Sequence, residues 1–197
     1  MDDIVRKSLE KWPDVPHAYG WLSLDPRGQW LLKGERIGNA GVIAFINRNY
    51  ESDAKGRWYF QNGPQRVYVA LSGAPQVYRL ETEDGNALVT HTGHAAGRVD
   101  GAWLDDRDRV VILADAGVGT LDDRDLPRIV PRLSGEHGQP VSDEALARWM
   151  EGDAAAPPPW LRLAGGAVPV ERIAAADLPR RFAFDPDPRP ADGEPDC

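Results

Sequence analysis

The stretch GRWYFQNGPQRVYVAL, residues 56–71, sets Arg57, Tyr59, Gln61, Arg66 and Tyr68 around one Asn62-Gly63 turn. Those residue types have a chemistry. Arginine presents a planar fork of donors that suits phosphate or carboxylate. Tyrosine offers flat apolar area on which a base or another ring can lie. In two strands joined by the turn, side chains alternate between faces. Trp58, Phe60, Val67, Val69 and Leu71 then form an apolar face, opposite the two arginines, two tyrosines and the glutamine. That polar face reads either as a recognition surface or as a solvated hairpin with cross-strand Arg–Tyr packing. The residues leave both readings open.

The remaining clusters carry less. Arg36 precedes an apolar Ile37 and would point toward an adjoining groove. Asn47, Arg48 and Asn49 close an apolar-periodic stretch, where cations and asparagines serve helix ends. His91 and His94 lie three apart, but zinc needs three or four ligands. Only His17, His137 and Cys197 remain to add, so no metal set is read. LDDRDRVV (104–111) suits a turn between strands, and LDDRDLPR (121–128) suits a helix start with Asp122 or Asp123 as cap. Neither alternates oxygen ligands around a glycine as a calcium loop does. No phosphate-binding P-loop, nucleophile elbow or His-Glu-x-x-His word occurs. No catalytic residue is assigned and no cofactor is named. The reading leans away from an enzyme, whose mark would be a buried carboxylate or histidine with a shifted pKa in a cleft.

The elements that must position these residues follow from periodicity. Residues 2–12 read as an amphipathic helix, ended by PDVP. Residues 19–34 form a hairpin around the type I turn DPRG. Asn39 caps a helix over 39–50. The hairpin at 56–71 follows, then a third over 76–92 around Asp84-Gly85-Asn86 and a fourth over 102–113. Residues 121–133 have a helical period broken by Pro127 and Pro131, and Ser142 caps a helix over 142–152. A last hairpin, 160–173, turns at Gly165-Gly166. Residues 185–197 are Pro- and Asp-rich without apolar pattern and read as a disordered tail.

The fold class is therefore α+β, with antiparallel sheets and few helices. Two halves repeat the order hairpin, helix, hairpin. WLLKGERIG (30–38) lines up with VILADAGVG (111–119), and WYFQNGPQRVYV (58–69) with WLRLAGGAVPVE (160–171). The expected organisation is an N-terminal helix and linker over 1–18, units over 19–92 and 93–184, and a tail over 185–197.

A net charge of −8 disfavours nonspecific nucleic-acid binding and anionic membranes, both of which want a cationic surface. One cysteine fits a reducing compartment, and the N-terminus lacks the pattern of a secretory signal. A cytoplasmic location is expected.

GRWYFQNGPQRVYVAL, with WLLKGERI and IAFINRNY upstream, resembles a bacterial family known only as a domain of unknown function, over most of residues 1–184. Over residues 20–70 the Gly-Glu-Arg-Ile turn before the first helix is similar to a second bacterial family of unknown function. That resemblance implies a duplicated core with a pleckstrin-homology-like C-terminal half. It also implies a nucleotide-like ligand at the domain interface and a signalling role. The positions it would involve are Arg36, Asn62, Gln65 and Arg66. HTGHAAGRVDGAWLDDRDR departs from the second family's pattern.

The expectation is thus a noncatalytic module that binds an anionic, nucleotide-like molecule at the junction of its halves. Arg36 and Arg66 would pair with charge, Asn62 and Gln65 would hydrogen-bond, Tyr68 would stack, and Arg57 and Tyr59 would complete the surface. The alternative is a protein-interaction module using the Trp/Tyr/Arg-rich hairpin as a hot spot.

Overall fold

A computed structural model of the chain describes residues 1–12, 15–82, 85–164 and 166–191. The expected features at Pro13, Asp14, Asp84, Gly165 and 192–197 lie outside them. The chain divides into two compact units. The first holds Met1–Pro75, His91–Gly93 and the segment from Leu178 onward; the second holds Gln76–Thr90 and His94–Asp177. The third hairpin therefore belongs with the second unit, and the N-terminal helix with the first.

In the first unit α1 (Asp3–Lys11) precedes β1 (Ala18–Leu24), β2 (Trp30–Leu32), β3 (Glu35–Arg36), α2 (Ala40–Arg48), β4 (Tyr50–Ser52), β5 (Trp58–Asn62) and β6 (Gln65–Leu71). The sheet order is β3-β2-β1-β6-β5-β4. Its central pair, β1 with β6, is parallel and the rest are antiparallel. Asn39 caps α2, its side chain accepting from the N–H groups of Gly41 and Val42. The helix lies on the apolar face of the sheet, where Phe45 meets Phe60 edge to face at 5.4 Å.

The second unit contains β7 (Gln76–Leu80), β8 (Leu88–Thr90), β9 (Val99–Asp105), β10 (Val110–Ala114) and β11 (Gly117–Leu121). A 3₁₀ turn leads into α3 (Leu126–Ile129), then β12 (Leu133–Ser134), α4 (Asp143–Met150), β13 (Trp160–Leu163) and β14 (Gly166–Ile173). Pro127 and Pro131 are each the second residue of their short helical turns, within the first turn where no intrahelical N–H is needed. Ser142 caps α4 through Ala145. The sheet order is β12-β13-β14-β9-β10-β11-β7-β8. Its core gathers Tyr78, Ile112, Leu121, Leu161 and Val170. The α+β class is as the sequence implies.

The two sheets share a strand order. Read from its other edge, the second begins with β8-β7 and continues β11-β10-β9-β14-β13-β12. First and last strands of each six pair in parallel, β1 with β6 and β9 with β14. The letter alignments are one residue out of step with this. Leu32 before the β2–β3 turn corresponds to Ala114, and Asn62 before the β5–β6 turn to Leu163.

α5 (Leu178–Arg181) begins the C-terminal part of the first unit, with Leu178 and Phe184 buried. The Asp185 N–H donates to the Gly56 carbonyl at 2.9 Å, and the Leu71 N–H donates to that of Pro186 at 2.8 Å. The start of the expected tail is thus ordered against the sheet. Backbone pairing holds it, which composition does not announce.

Candidate functional site

The β5–β6 turn decides where the expected ligand residues go. Asn62 pairs with Gln65, so the two central residues are Gly63, at φ 58, and Pro64. A glycine at positive φ in the first position is what a two-residue type II′ turn requires. Asn62 is therefore a strand residue, and the sheet's period of two divides the expected site. Arg57, Tyr59, Gln61, Arg66 and Tyr68 share one face. Asn62 and Gln65 share the other with Phe60 and Val67. Arg36 lies exposed on β3, opposite Leu31. The seven residues do not converge on one ligand.

The tyrosine face is a packed layer. Tyr68 is 1% exposed, and Tyr19 and Tyr59 are 5%. Tyr19 stacks on Tyr68 at 4.6 Å, and Tyr59 meets Tyr68 edge to face at 5.8 Å. The Arg57 guanidinium lies 4.5 Å from the Tyr68 ring and donates to the Tyr19 hydroxyl. Asp53 accepts from Arg57 Nε at 2.8 Å and from the Tyr68 hydroxyl at 3.2 Å. Arg66 covers Tyr59 at 4.6 Å. Gln61 is fully buried and donates to the carbonyls of Gly63 and Gln65. Burial pushes the Tyr59 and Tyr68 hydroxyls above their ordinary pKa. Tyr68 consequently has no ring face to offer a ligand. Asp53, Arg57 and the hydroxyls of Tyr19 and Tyr68 satisfy one another, whereas Gln61 Oε1 is buried without a hydrogen-bond partner among the described residues.

His91 is likewise internal, packed at 5.3 Å from Trp30 and 5.6 Å from Tyr50. Asn47 links that cluster, accepting from Trp30 Nε1 at 2.7 Å and donating to the His91 carbonyl. Asp105 accepts from the N–H groups of Arg107 and Arg109 and from Arg109 Nε, so its carboxylate belongs to its turn. Asp122, one of the two expected caps, accepts from the Arg124 N–H.

The opposite face of the first sheet is open. A groove of about 440 Å³ runs between it and α2. Leu22, Phe60 and Val67 form its floor, Val42 and Ile46 its helical wall, and Trp21 and Leu32 its rim. Asn62 and Gln65 are the polar side chains of its lining. Trp21 is 40% exposed, Val42 45% and Leu32 49%. The register of β1 on β6 shifts between Ala18 and Leu22, a stretch that includes Gly20 at φ 70 and the exposed Trp21. Beside Trp21, the β2–β3 turn places Lys33 Nζ 3.5 Å from the indole centroid. Of the expected ligand residues, Asn62 and Gln65 line this groove, whereas Trp21, Lys33 and Val42 carried no such expectation. The signal for Val42 was an apolar residue on the outward flank of a short helix.

In the second unit a cleft of about 630 Å³ includes Arg132 and Arg162. Both are committed: Arg132 donates to the Gly85 carbonyl, and Arg162 to Ser134 Oγ and the Glu136 carbonyl.

The chain belongs to the family described as Protein of unknown function (DUF2946), whose model matches residues 1–189. No curated protein matches it. Among solved structures it is similar to a DUF1285 family protein from Silicibacter pomeroyi DSS-3, at 15% identity and a TM-score of 0.49, covering 86% of this chain and 94% of that one. A DUF1285 family protein from Shewanella baltica OS155 is similar at 17% identity and a TM-score of 0.40, covering 55% and 88%. Among the described residues, no helix is long and apolar enough to cross a membrane.

Proposed function

We propose that this protein is a noncatalytic binding module whose site is the groove between α2 and the first sheet, and whose ligand is a small anion with an apolar body. The observation that carries this is the lining: nine apolar side chains, drawn from five elements and from Ile37 between β3 and α2, with two amides beside them. Ligand sites are typically concave, mostly apolar and provided with a few polar groups that fix orientation. The lining holds no His, Cys, Asp, Glu, Lys or Ser, hence no group to move a proton or attack a bond. Binding is the chemistry left to it. The proposal keeps Asn62 as a hydrogen-bonding residue and Gln65 through its Oε1, since the Gln65 amide nitrogen donates to the Pro16 carbonyl at 3.0 Å, and moves the ligand from the expected junction into the first unit. We place the protein in the cytoplasm on its single cysteine.

The test is a thermal-shift panel of hydrophobic carboxylates, nucleotides and sugar phosphates on wild type and Val42→Glu. Val42 is exposed, so the substitution spares the core while placing a charge in the wall. The expected result is a shift of several degrees for one anionic class that Val42→Glu loses. A panel that moves neither protein overturns the proposal.

A second reading has its own observation, the exposed apolar rim of Trp21, Leu32 and Val42. A protein partner would use that rim rather than the buried tyrosines of the hairpin. Capture of a partner that Trp21→Ala abolishes, with no small molecule bound, would favour it.

A further inference from the structure

We infer that the anion taken by this groove is an amphipathic carboxylate and that Lys33 holds its charge; the inference rests on the groove being the binding site.

Three observations meet at Lys33. The first is its backbone. Lys33 and Gly34 form the two-residue turn between β2 and β3, with φ of 49 and 85. Such a type I′ turn favours Asn, Asp or Gly at its first position, and a lysine there is uncommon. Turn geometry alone does not account for the residue.

The second observation is where the side chain goes. The ammonium sits 3.5 Å from the centroid of the Trp21 ring, and Trp21 is part of the groove rim. A cation over an indole face is held electrostatically by the ring quadrupole. The neighbouring Leu32 is also rim. A long, flexible side chain is thereby parked at the mouth of an apolar groove. Among the described residues Lys33 makes no ion pair, and its ammonium rests on the Trp21 ring.

The third observation is what the groove lacks. Its lining supplies apolar surface and two neutral amides. An ionised ligand must find its countercharge beside the lining, and Lys33 is the cation fixed there. The charge count points to one anionic group. A lysine is a single point charge, whereas phosphate groups are commonly met by several donors or an arginine fork. Arg57 is turned to the other face of the sheet, engaged with Asp53, and Arg66 lies over Tyr59 on that face. A carboxylate with an apolar body fits both the wall and the single charge.

The experiment is calorimetric titration of the full chain with dodecanoate, dodecanol and AMP, below micellar concentrations. It uses wild type, Val42→Glu, Lys33→Gln and Lys33→Gly. Dodecanoate is expected to bind wild type about five- to tenfold more tightly than dodecanol, the size of one charge-assisted contact. Lys33→Gln and Lys33→Gly should both erase that difference. Lys33→Gly relaxes the turn, so a loss of binding in it without a loss of melting temperature separates charge from folding. Added salt should weaken dodecanoate binding in wild type and leave Lys33→Gln unmoved. Equal binding of dodecanoate and dodecanol, unchanged in Lys33→Gln, overturns the role of Lys33 and leaves the groove standing. Preference for AMP overturns the carboxylate. If nothing binds, or Val42→Glu binds as wild type does, the groove itself fails.

Discussion

Asp53 shows how one residue can organise a face. Its Oδ1 accepts from the N–H groups of Lys55 and Arg57, and its Oδ2 from Arg57 Nε and the Tyr68 hydroxyl. Asp25 and Asp105 make the same backbone pair, accepting from the residues two and four further on. In all three, DPRGQ, DAKGR and DDRDR, the fourth residue has positive φ. Only Asp53 and Asp105 also bind the arginine at the fifth position. Burial disfavours the Asp53 charge, yet the Arg57 side chain and the backbone donors of Arg57 and Lys55 outweigh it and hold the carboxyl below its ordinary pKa. A depressed folded-state pKa contributes stability that is present above the unfolded value, about 3.9, and is lost as pH falls through the folded one. Asp53→Asn should therefore cost about 1–3 kcal/mol at neutral pH. The gap between variant and wild type should close below about pH 4. Urea melts across pH check this, and a gap independent of pH would contradict it.

At the scale of the element, two glycines of neighbouring turns make a matched test. Gly56 and Gly63 both have positive φ, 76 and 58. A Cβ on Gly63 would meet nothing within 4 Å, whereas one on Gly56 would lie 2.1 Å from the Ala183 carbonyl oxygen. Gly63→Ala should cost about 1–2 kcal/mol, the backbone penalty of a type II′ first position alone. Gly56→Ala adds a collision with the backbone of the C-terminal segment and should cost above about 2 kcal/mol. Chemical denaturation of the two variants gives the order; equal costs would mean that the segment yields. The period of two was legible here from letters. Alternation across 57–71 put Arg57, Tyr59, Gln61, Arg66 and Tyr68 together, and the register of Tyr59 with Tyr68 and Gln61 with Arg66 agrees. Period alone does not say whether a polar face is wet. Tyr19, more than thirty residues upstream, closes over Tyr68 because β1 pairs in parallel with β6.

At the scale of the molecule, each unit has its own sheet. The core of Tyr78, Ile112, Leu161 and Val170 is drawn wholly from residues 76–177. A chain of residues 76–177 alone should therefore melt cooperatively by circular dichroism; a broad, featureless melt would show that its core is incomplete. The common strand order of the two sheets is our ground for proposing duplication, since the aligned words are a residue out of step and carry little of it.

Sequence alone determined the main hairpins, the longer helices and their caps, but not the strands β3, β4, β11 and β12. Asn39, Ser142, Asp122 and the D-x-x-G turns act within five residues, and local hydrogen bonds need no distant partner. It also determined which side chains share a strand face, because alternation is a property of the strand itself. The tertiary structure decided which face became a groove and which a buried layer. That choice depends on the parallel pairing of β1 with β6 and on the seat of α2, contacts between residues far apart in the chain. It turned Tyr68 from an expected stacking platform into core, and left Trp21, Leu32 and Val42 exposed along the groove.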